Sequence, residues 1–323
     1  MAPQTLDQLD LKLLQALELD GRAAFSRIAQ VLGVSDQTIA RRFRRLGTTA
    51  DLRVTGVADD SRLGRDSWII RLGCTPNVAE QLASALAKRP DTQYIDLVSG
   101  GTEVMCAMKP RTRQERDDLL LERLQRTPRV TSVSAHCILH TFYGGPHGWL
   151  RKISALDPDE ETALRPPVAA RPEAPVVLDA IDETLLAALR RDGRAPLAEL
   201  QKATGQSEAV IRRRLERLRT TGVLYFAVEF DHEPLGQGVG AMCWLTVAPQ
   251  ALAETGRAVA EHPEVRFAGA VTGPANIVLS LICRTTGDLY AYLSDKIGGL
   301  TGVHTVETAL TLRRVKTLTY RPR

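Results

Sequence analysis

Apolar residues recur at helical spacing through the first fifty positions. Leu9, Leu13, Leu14 and Leu17 form one stripe, closed by Asp20-Gly21, and Phe25, Ile28, Ala29 and Leu32 form a second. Gly33-Val34 then breaks the pattern where a tight turn favours positive φ, and Ser35 stands where a helix wants its N-cap. Ile39, Phe43 and Leu46, at i, i+4 and i+7, predict a third helix with one buried face. The period then changes. "DLRVTGVAD" at 51–59 is strand-like, "SWIIRLGC" is a strand, and "NVAEQLASALAKRP" is a helix with Val78, Leu82 and Leu86 inward. "QYIDLVSG" and "TEVMCAM" form a strand pair joined at Gly100-Gly101; "RQERDDLLLERLQRTP" is a helix and "RVTSVSAHCILHTF" a last strand. The order β-α-β-β-α-β is that of a ferredoxin-like split βαβ unit. Its helices cover one face of the antiparallel sheet, so the other face needs a partner.

The whole pattern occurs twice. "LDLKLLQALELDGRAAFSRIAQVLGVSDQTIARRFRRLGTT" from Leu9 returns as "IDETLLAALRRDGRAPLAELQKATGQSEAVIRRRLERLRTT" from Ile181, an offset of 172 that holds without a gap to Gly64 and Gly236. The stretch at 223–231, "VLYFAVEFD", matches 51–59, and "GAMCWLTVA", "QALAETGRAVAEHP", "VRFAGAVTG", "NIVLSLICR", "GDLYAYLSDKIGGL" and "GVHTVETALTL" repeat the β-α-β-β-α-β order. The fold class is therefore α+β: two winged/helix-turn-helix domains, each followed by a ferredoxin-like βαββαβ domain. The expected boundaries are 1–50 (helix-turn-helix 1), 51–156 (hinge strand and ferredoxin-like domain 1), 157–177 (linker), 178–222 (helix-turn-helix 2) and 223–323 (hinge strand and ferredoxin-like domain 2). The linker, "DPDEETALRPPVAARPEAPVV", has little to bury and is expected to be extended and Pro-stiffened.

Composition narrows the chemistry. At 323 residues, 44% hydrophobic and 25% charged, the chain is of ordinary globular type, and its net charge of +4 gives no whole-molecule pull toward nucleic acid. Any such signal is local. No apolar run reaches the length of a membrane span, the start lacks a basic-then-apolar leader, and five unevenly spaced cysteines argue for a reducing compartment, so a cytoplasmic protein is expected.

The local signal lies on the third helix of each copy. Arg41, Arg42, Arg44 and Arg45 fall off the apolar stripe, as do Arg212, Arg213, Arg214 and Arg217 in the second copy, where Ile211, Leu215 and Leu218 face inward. All eight arginines are expected to point outward. A basic helix after helix, Gly-turn and Ser N-cap has the layout of a DNA-reading helix-turn-helix. There arginines neutralise phosphates while short polar residues at the helix start reach base edges. Double-stranded DNA is thus the expected partner. Its expected contacts are Ser35, Gln37, Thr38 and the four arginines in copy one, and Ser207, Glu208 and the four arginines in copy two.

Each copy resembles a complete Lrp/AsnC (feast/famine) transcriptional regulator, a helix-turn-helix joined to an amino-acid-sensing RAM domain. The resemblance rests on "LDQLDLKLLQALELDGR" and "LDAIDETLLAALRRDGR" and spans nearly all of both halves. It implies that RAM domains pair through their sheets and assemble further, so one chain acts as a pseudo-dimer and two chains as a pseudo-tetramer. It also implies a small effector, usually an amino acid, near the loop between the second and third RAM strands. That loop often reads Thr-Gly-x-x-Asp in the family. Here it is Ser99-Gly100-Gly101-Thr102-Glu103 and Thr272-Gly273-Pro274-Ala275-Asn276, so the final Asp is replaced in both copies.

Other chemistry has weaker support. His136 and His140 share a strand face but stand about 13 Å apart at ~3.3 Å per residue, too far to chelate one ion alone. Cys137, with Val133, Ala135 and Leu139, reads as a small core residue. No P-loop, GxGxxG or GxSxG motif occurs, so neither a cofactor nor a metal is expected, and the chain reads as a non-enzyme. The alternative enzyme reading is a siroheme decarboxylase, which shares this tandem layout. Its signal includes a His in the loop between strands two and three, where this chain has Gly-Gly-Thr-Glu and Gly-Pro-Ala-Asn. A RAM metabolite sensor with decayed DNA binding is a third reading.

Overall fold

Two aspartates three residues apart start each repeat's first helix. In the computed structural model, which describes residues 6–146, 148–166, 173–230 and 238–319, Asp7 caps α1 (Gln8–Leu19), and Asp10 returns the bond to complete a capping box. Helices α2 (Phe25–Val31) and α3 (Asp36–Thr49) follow, then strand β1 (Arg53–Ala58). The first ferredoxin-like set is β2 (Trp68–Cys74), α4 (Pro76–Ala87), β3 (Thr92–Val98), β4 (Glu103–Met108), α5 (Arg113–Asp117, continued as a π-helical turn) and β5 (Val130–Tyr143). After α6 (Pro158–Leu164) the copy repeats: α7 (Ala180–Arg191), α8 (Leu197–Thr204), α9 (Glu208–Thr220) and β6 (Leu224–Glu229). The second set is β7 (Val239–Val247), α10 (Leu252–Glu261), β8 (Val265–Val271), β9 (Ile277–Cys283), α11 (Thr286–Ala291, also extended by a π-turn) and β10 (Val303–Lys316). These elements form two units, Met1–Gly64 with Gly145–Gly236 and Arg65–Gly144 with Gln237–Arg323. Each unit draws on both repeats.

In the first unit the two helix-turn-helix modules pair with each other. Strands β1 and β6, expected only to bridge onward, form a two-stranded antiparallel sheet in which Thr55 lies opposite Ala227. Those two positions are repeat equivalents, so a pseudo-two-fold axis passes between them. The Asp-Gly-Arg motif serves this pairing. Arg22 donates to the carbonyl oxygens of Gly193 and Ala195, at 2.8 and 3.0 Å, and Arg194 returns bonds to Gly21 and Ala23, at 2.6 and 3.0 Å. Arg194 also lies 4.4 Å over the Phe25 ring. Gly193 sits so close that an added Cβ would meet the Val54 carbonyl oxygen at 2.9 Å and the Gly56 nitrogen at 3.0 Å.

The linker differs from its expectation. Residues 148–166 pack on module one, and Pro158 starts a helix where it was expected to stiffen an extended chain. Proline at the first helical position loses no hydrogen bond, and Asp157 with Glu160 supplies the capping box. Trp149, Leu150, Leu156 and Leu164 are buried. The side chain of Gln15 accepts from the backbone nitrogens of Ala155 and Leu156, Glu18 accepts from those of Leu150 and Arg151, and Lys12 pairs with Glu160 at 2.5 Å. The equivalents of Lys12, Gln15 and Glu18 are Thr184, Ala187 and Arg190, so module two lacks these receptors. Part of the expected linker, 167–172, lies outside the described residues.

In the second unit the two ferredoxin-like sheets close into an eight-stranded barrel in the order β10-β3-β4-β2-β5-β8-β9-β7. The long strands β5 and β10 make the closure. β5 pairs with β2 as far as Cys137 and with β8 from Ile138; β10 pairs with β7 as far as Leu310 and with β3 from Thr311. Each sheet therefore finds its partner in the same chain. One core lies under each pair of helices, and a third lies between the sheets, built on Ile69, Val98, Met105, Met242, Trp244, Val271, Val278 and Ala309. A register shift between Ile138 and His140 breaks the strand's alternation: His136 is buried and His140 exposed, so the two do not share a face as expected. Cys137 is half-buried and not the core residue expected. Among the described residues no helix is long and apolar enough to cross a membrane, and no cluster of three metal-ligating side chains occurs.

Candidate nucleic-acid interface

The turn before each third helix is built as its glycine requires: Gly33 has φ +65° and Gly205 φ +68°, both in the left-handed region. Ser35 caps α3 by accepting from the Thr38 nitrogen at 3.2 Å, and its hydroxyl lies 2.9 Å from that of Thr38. Gln37 stands exposed beside them, and its side-chain amide meets no partner among the described residues. Ile39 and Leu46 are buried, and Phe43 packs on Phe25 with ring centroids 5.2 Å apart.

The arginines do not all point outward, which corrects the expectation from the sequence. Arg42 turns back to Asp7 and Asp10, at 2.6 and 2.8 Å, and Arg45 reaches Asp10 at 2.5 Å. Asp10 is wholly buried, so it requires these cations. The second copy repeats the cluster: Arg214 meets Asp179 and Asp182, both at 2.8 Å, and Arg217 meets Asp182. Burial opposes ionisation of Asp7, but hydrogen bonds from Arg42 and the Asp10 nitrogen outweigh it and hold the carboxyl below its usual range. Asp179 is lowered chiefly by the Asp182 backbone N–H and then by Arg214. Arg42, Arg45, Arg214 and Arg217 thus tie the third helix to the first.

What remains outward differs between the modules. In module one Arg41 and Arg44 are exposed; among the described residues Arg41 has no ion-pair partner, and the Arg44 side chain bonds to the Ala40 carbonyl oxygen at 3.3 Å. In module two Arg212 is held by Glu208 at 2.6 Å, and Arg219 by Asp20 at 3.1 Å. Arg213 is left, lining an open cleft of about 350 Å³ with Asp179, Asp182, Arg214 and Arg217. Ser207 precedes α9 without a side-chain cap bond.

The two expected effector loops are also unlike. In the first, Ser99, Gly100 and Gly101 all have positive φ, Ser99 donates to Glu103 at 3.0 Å, and Glu103 pairs with Arg71 at 2.5 Å. Thr102 donates to the Ser99 carbonyl oxygen at 2.7 Å. In the second, Asn276 donates to the Val247 carbonyl oxygen at 2.7 Å and accepts from its nitrogen at 2.9 Å, so both ends of the amide are engaged by one backbone unit. Thr272 accepts from the Cys137 nitrogen at 2.9 Å, and Gly273 lies so close to His136 that a Cβ would meet its Nδ1 at 2.5 Å. The Pro274 carbonyl oxygen accepts from Thr246 at 3.3 Å, and Ala275 packs at the edge of the inter-sheet core.

Family models match the same elements. The AsnC-type helix-turn-helix domain matches residues 6–46 and again 178–219, and the Lrp/AsnC ligand binding domain matches 240–320. The HTH-type transcriptional regulator FL11 of Pyrococcus horikoshii is 32% identical over 148 residues, which cover 46% of this chain and 97% of that protein. FL11 of Pyrococcus furiosus is 30% identical over 147 residues, 45% and 97% of the two chains. The chain belongs to the Lrp/AsnC family. A whole family member therefore corresponds to one repeat here, and this chain carries two. Over its full length the chain has the fold of the siroheme decarboxylase NirDL, with TM-score 0.64 and 16% identity, covering 97% of this chain and 94% of that one.

The family's opening motif contributed residues that pattern reading overlooked. Asp7, Asp10, Asp179 and Asp182 look like ordinary helix-start acids, yet they decide which arginines are available. One signal was present: both aspartates and both locked arginines recur at the offset of 172, whereas Arg44 is replaced by Glu216.

Proposed function

We propose that the chain is a sequence-specific DNA-binding transcriptional regulator whose first unit offers two helix-turn-helix modules to one duplex. The observation that carries this is the start of α3, where Gln37, Arg41 and Arg44 stand exposed on a helix whose other cations are bound internally. Exposed arginines meet phosphates, and a glutamine amide at the helix start matches an adenine edge. Ser35, Thr38 and, in module two, Ser207, Glu208, Arg212 and Arg213 border the same surface. The relatives' designation as transcriptional regulators supports the reading. The second unit is the sensor, with an amino acid or related small metabolite at the loops Ser99–Glu103 and Thr272–Asn276. Two chains form a pseudo-tetramer in the cytoplasm. The test is fluorescence anisotropy with fragments of the source genome over a salt series: specific retention with log affinity falling linearly in log salt supports the proposal. Salt-independent or undetectable binding refutes it.

The decarboxylase reading has one observation in its favour, the shared fold with NirDL. Against it, neither β3–β4 nor β8–β9 loop holds a histidine, and buried His136 has its Nδ1 2.7 Å from the Thr272 carbonyl oxygen with its ring against Trp244. Loss and shift of the siroheme absorption bands on titration with the protein would favour that reading; an unchanged spectrum supports the regulator.

A further inference from the structure

The two third helices occupy equivalent places in a pseudo-two-fold pair, yet their exposed faces are not equivalent. At the start of α3 stand Asp36, Gln37 and Thr38; the same positions of α9 are Glu208, Ala209 and Val210. Only the first set includes a free amide. Further along, Ala40 becomes Arg212, whose guanidinium is held by Glu208, and Arg44 becomes Glu216, an exposed acid where module one has an exposed base. Among the described residues the third helices thus leave two arginines out of ion pairs in module one, Arg41 and Arg44, and one in module two, Arg213. The clamp that joins the modules is symmetric: Arg22 and Arg194 cross over with matching bonds, and β1 and β6 pair about their midpoint.

We infer that the pair is a one-headed reader: module one specifies the base sequence and carries most of the phosphate attraction, while module two positions it and adds a weak, sequence-tolerant hold. The ligand is double-stranded DNA with one defined half-site beside a degenerate one. This rests on the DNA-binding reading. Physically, a bidentate amide–adenine pair contributes discrimination that an Ala-Val surface cannot, and a carboxylate at the position of Arg44 repels the backbone. Gln37 is then the residue that sets specificity.

The test uses the intact chain to select duplexes from a random pool, followed by anisotropy on the recovered site. The expected result is an asymmetric consensus. Gln37→Ala should flatten the preference at one base pair of the defined half by roughly 10- to 100-fold. Arg41→Ala with Arg44→Ala should reduce the salt slope by about two, and Arg213→Ala by about one at most. Ala209→Gln with Glu216→Arg should sharpen the weak half. Recovery of a palindrome, or equal slope losses for the two modules, overturns the inference and leaves DNA binding standing. Absence of any retained duplex at low salt overturns the DNA reading and this inference with it.

Discussion

Arg41 and Arg45, four residues apart on one helix, should respond to truncation in opposite ways. Arg45 donates to Asp10, which is buried and shared with Arg42. Leaving a buried carboxylate short of a partner costs about 3–5 kcal/mol in a dry site, but exposed pairs are worth only about 0–1 kcal/mol. The Arg45 side chain is 36% exposed and Arg42 remains as a second donor. We therefore expect Arg45→Ala to cost module one about 1–2 kcal/mol, and Asp10→Ala, which also removes half of the capping box, about 3 kcal/mol. Arg41 touches no carboxylate among the described residues, so Arg41→Ala should stay within about 0.5 kcal/mol. Hydrogen exchange read by mass spectrometry isolates the module: amides of α1 and α3 should exchange roughly 5- to 30-fold faster in Arg45→Ala and at unchanged rates in Arg41→Ala. DNA binding should show the reverse, Arg41→Ala lowering the salt slope by about one and Arg45→Ala leaving it unchanged under conditions where the module is folded. Equal exchange in both variants would refute the assignment of Arg42 and Arg45 to the internal cluster.

Gly193→Ala should separate β1 from β6 or strain the turn, since its Cβ would meet the Val54 carbonyl oxygen at 2.9 Å; a loss of about 1–3 kcal/mol in the unfolding midpoint of the first unit is expected. The thiols of Cys106 and Cys243 are pushed up to about 12 by burial, and that of Cys283 to about 11. Disulfide reagents at neutral pH should therefore label half-buried Cys137 first, with the other four appearing on unfolding. Asp7 titrates lower in the folded chain than its ordinary 3.8, so its contribution is full above that value and is lost as pH falls through the folded pKa. Acid titration should open α1 of module one, and Asp7→Asn should remove that part of the pH dependence.

The elements were legible because each local signal agreed with the next: the Ser35 cap, the glycine turn, the stripe through Ile39 and Leu46, and the two-residue alternation of the sheets. The uncovered sheet faces and the family resemblance implied that the sheets would pair, and the barrel closes within one chain. Long-range partners were not legible. Nothing local to the arginine-rich stretch says that Arg42 and Arg45 face a carboxylate more than thirty residues away, because stripe position alone cannot distinguish solvent from a buried acid. For the same reason Pro158 read as part of a stiff, extended linker; the cap at Asp157 and the receptors Gln15 and Glu18 make it a helix start. The Asp-Gly-Arg motif read as a helix stop, and its use as a clamp between modules required the second copy in place.

The most direct measurement is hydroxyl-radical footprinting of a selected duplex at one chain per DNA. Two protected patches on the same face, one helical turn or a multiple of it apart, with the deeper one lost in the Arg41→Ala, Arg44→Ala variant, are what paired modules with unequal reading helices predict. A single patch, or protection that survives the double substitution unchanged, would contradict them.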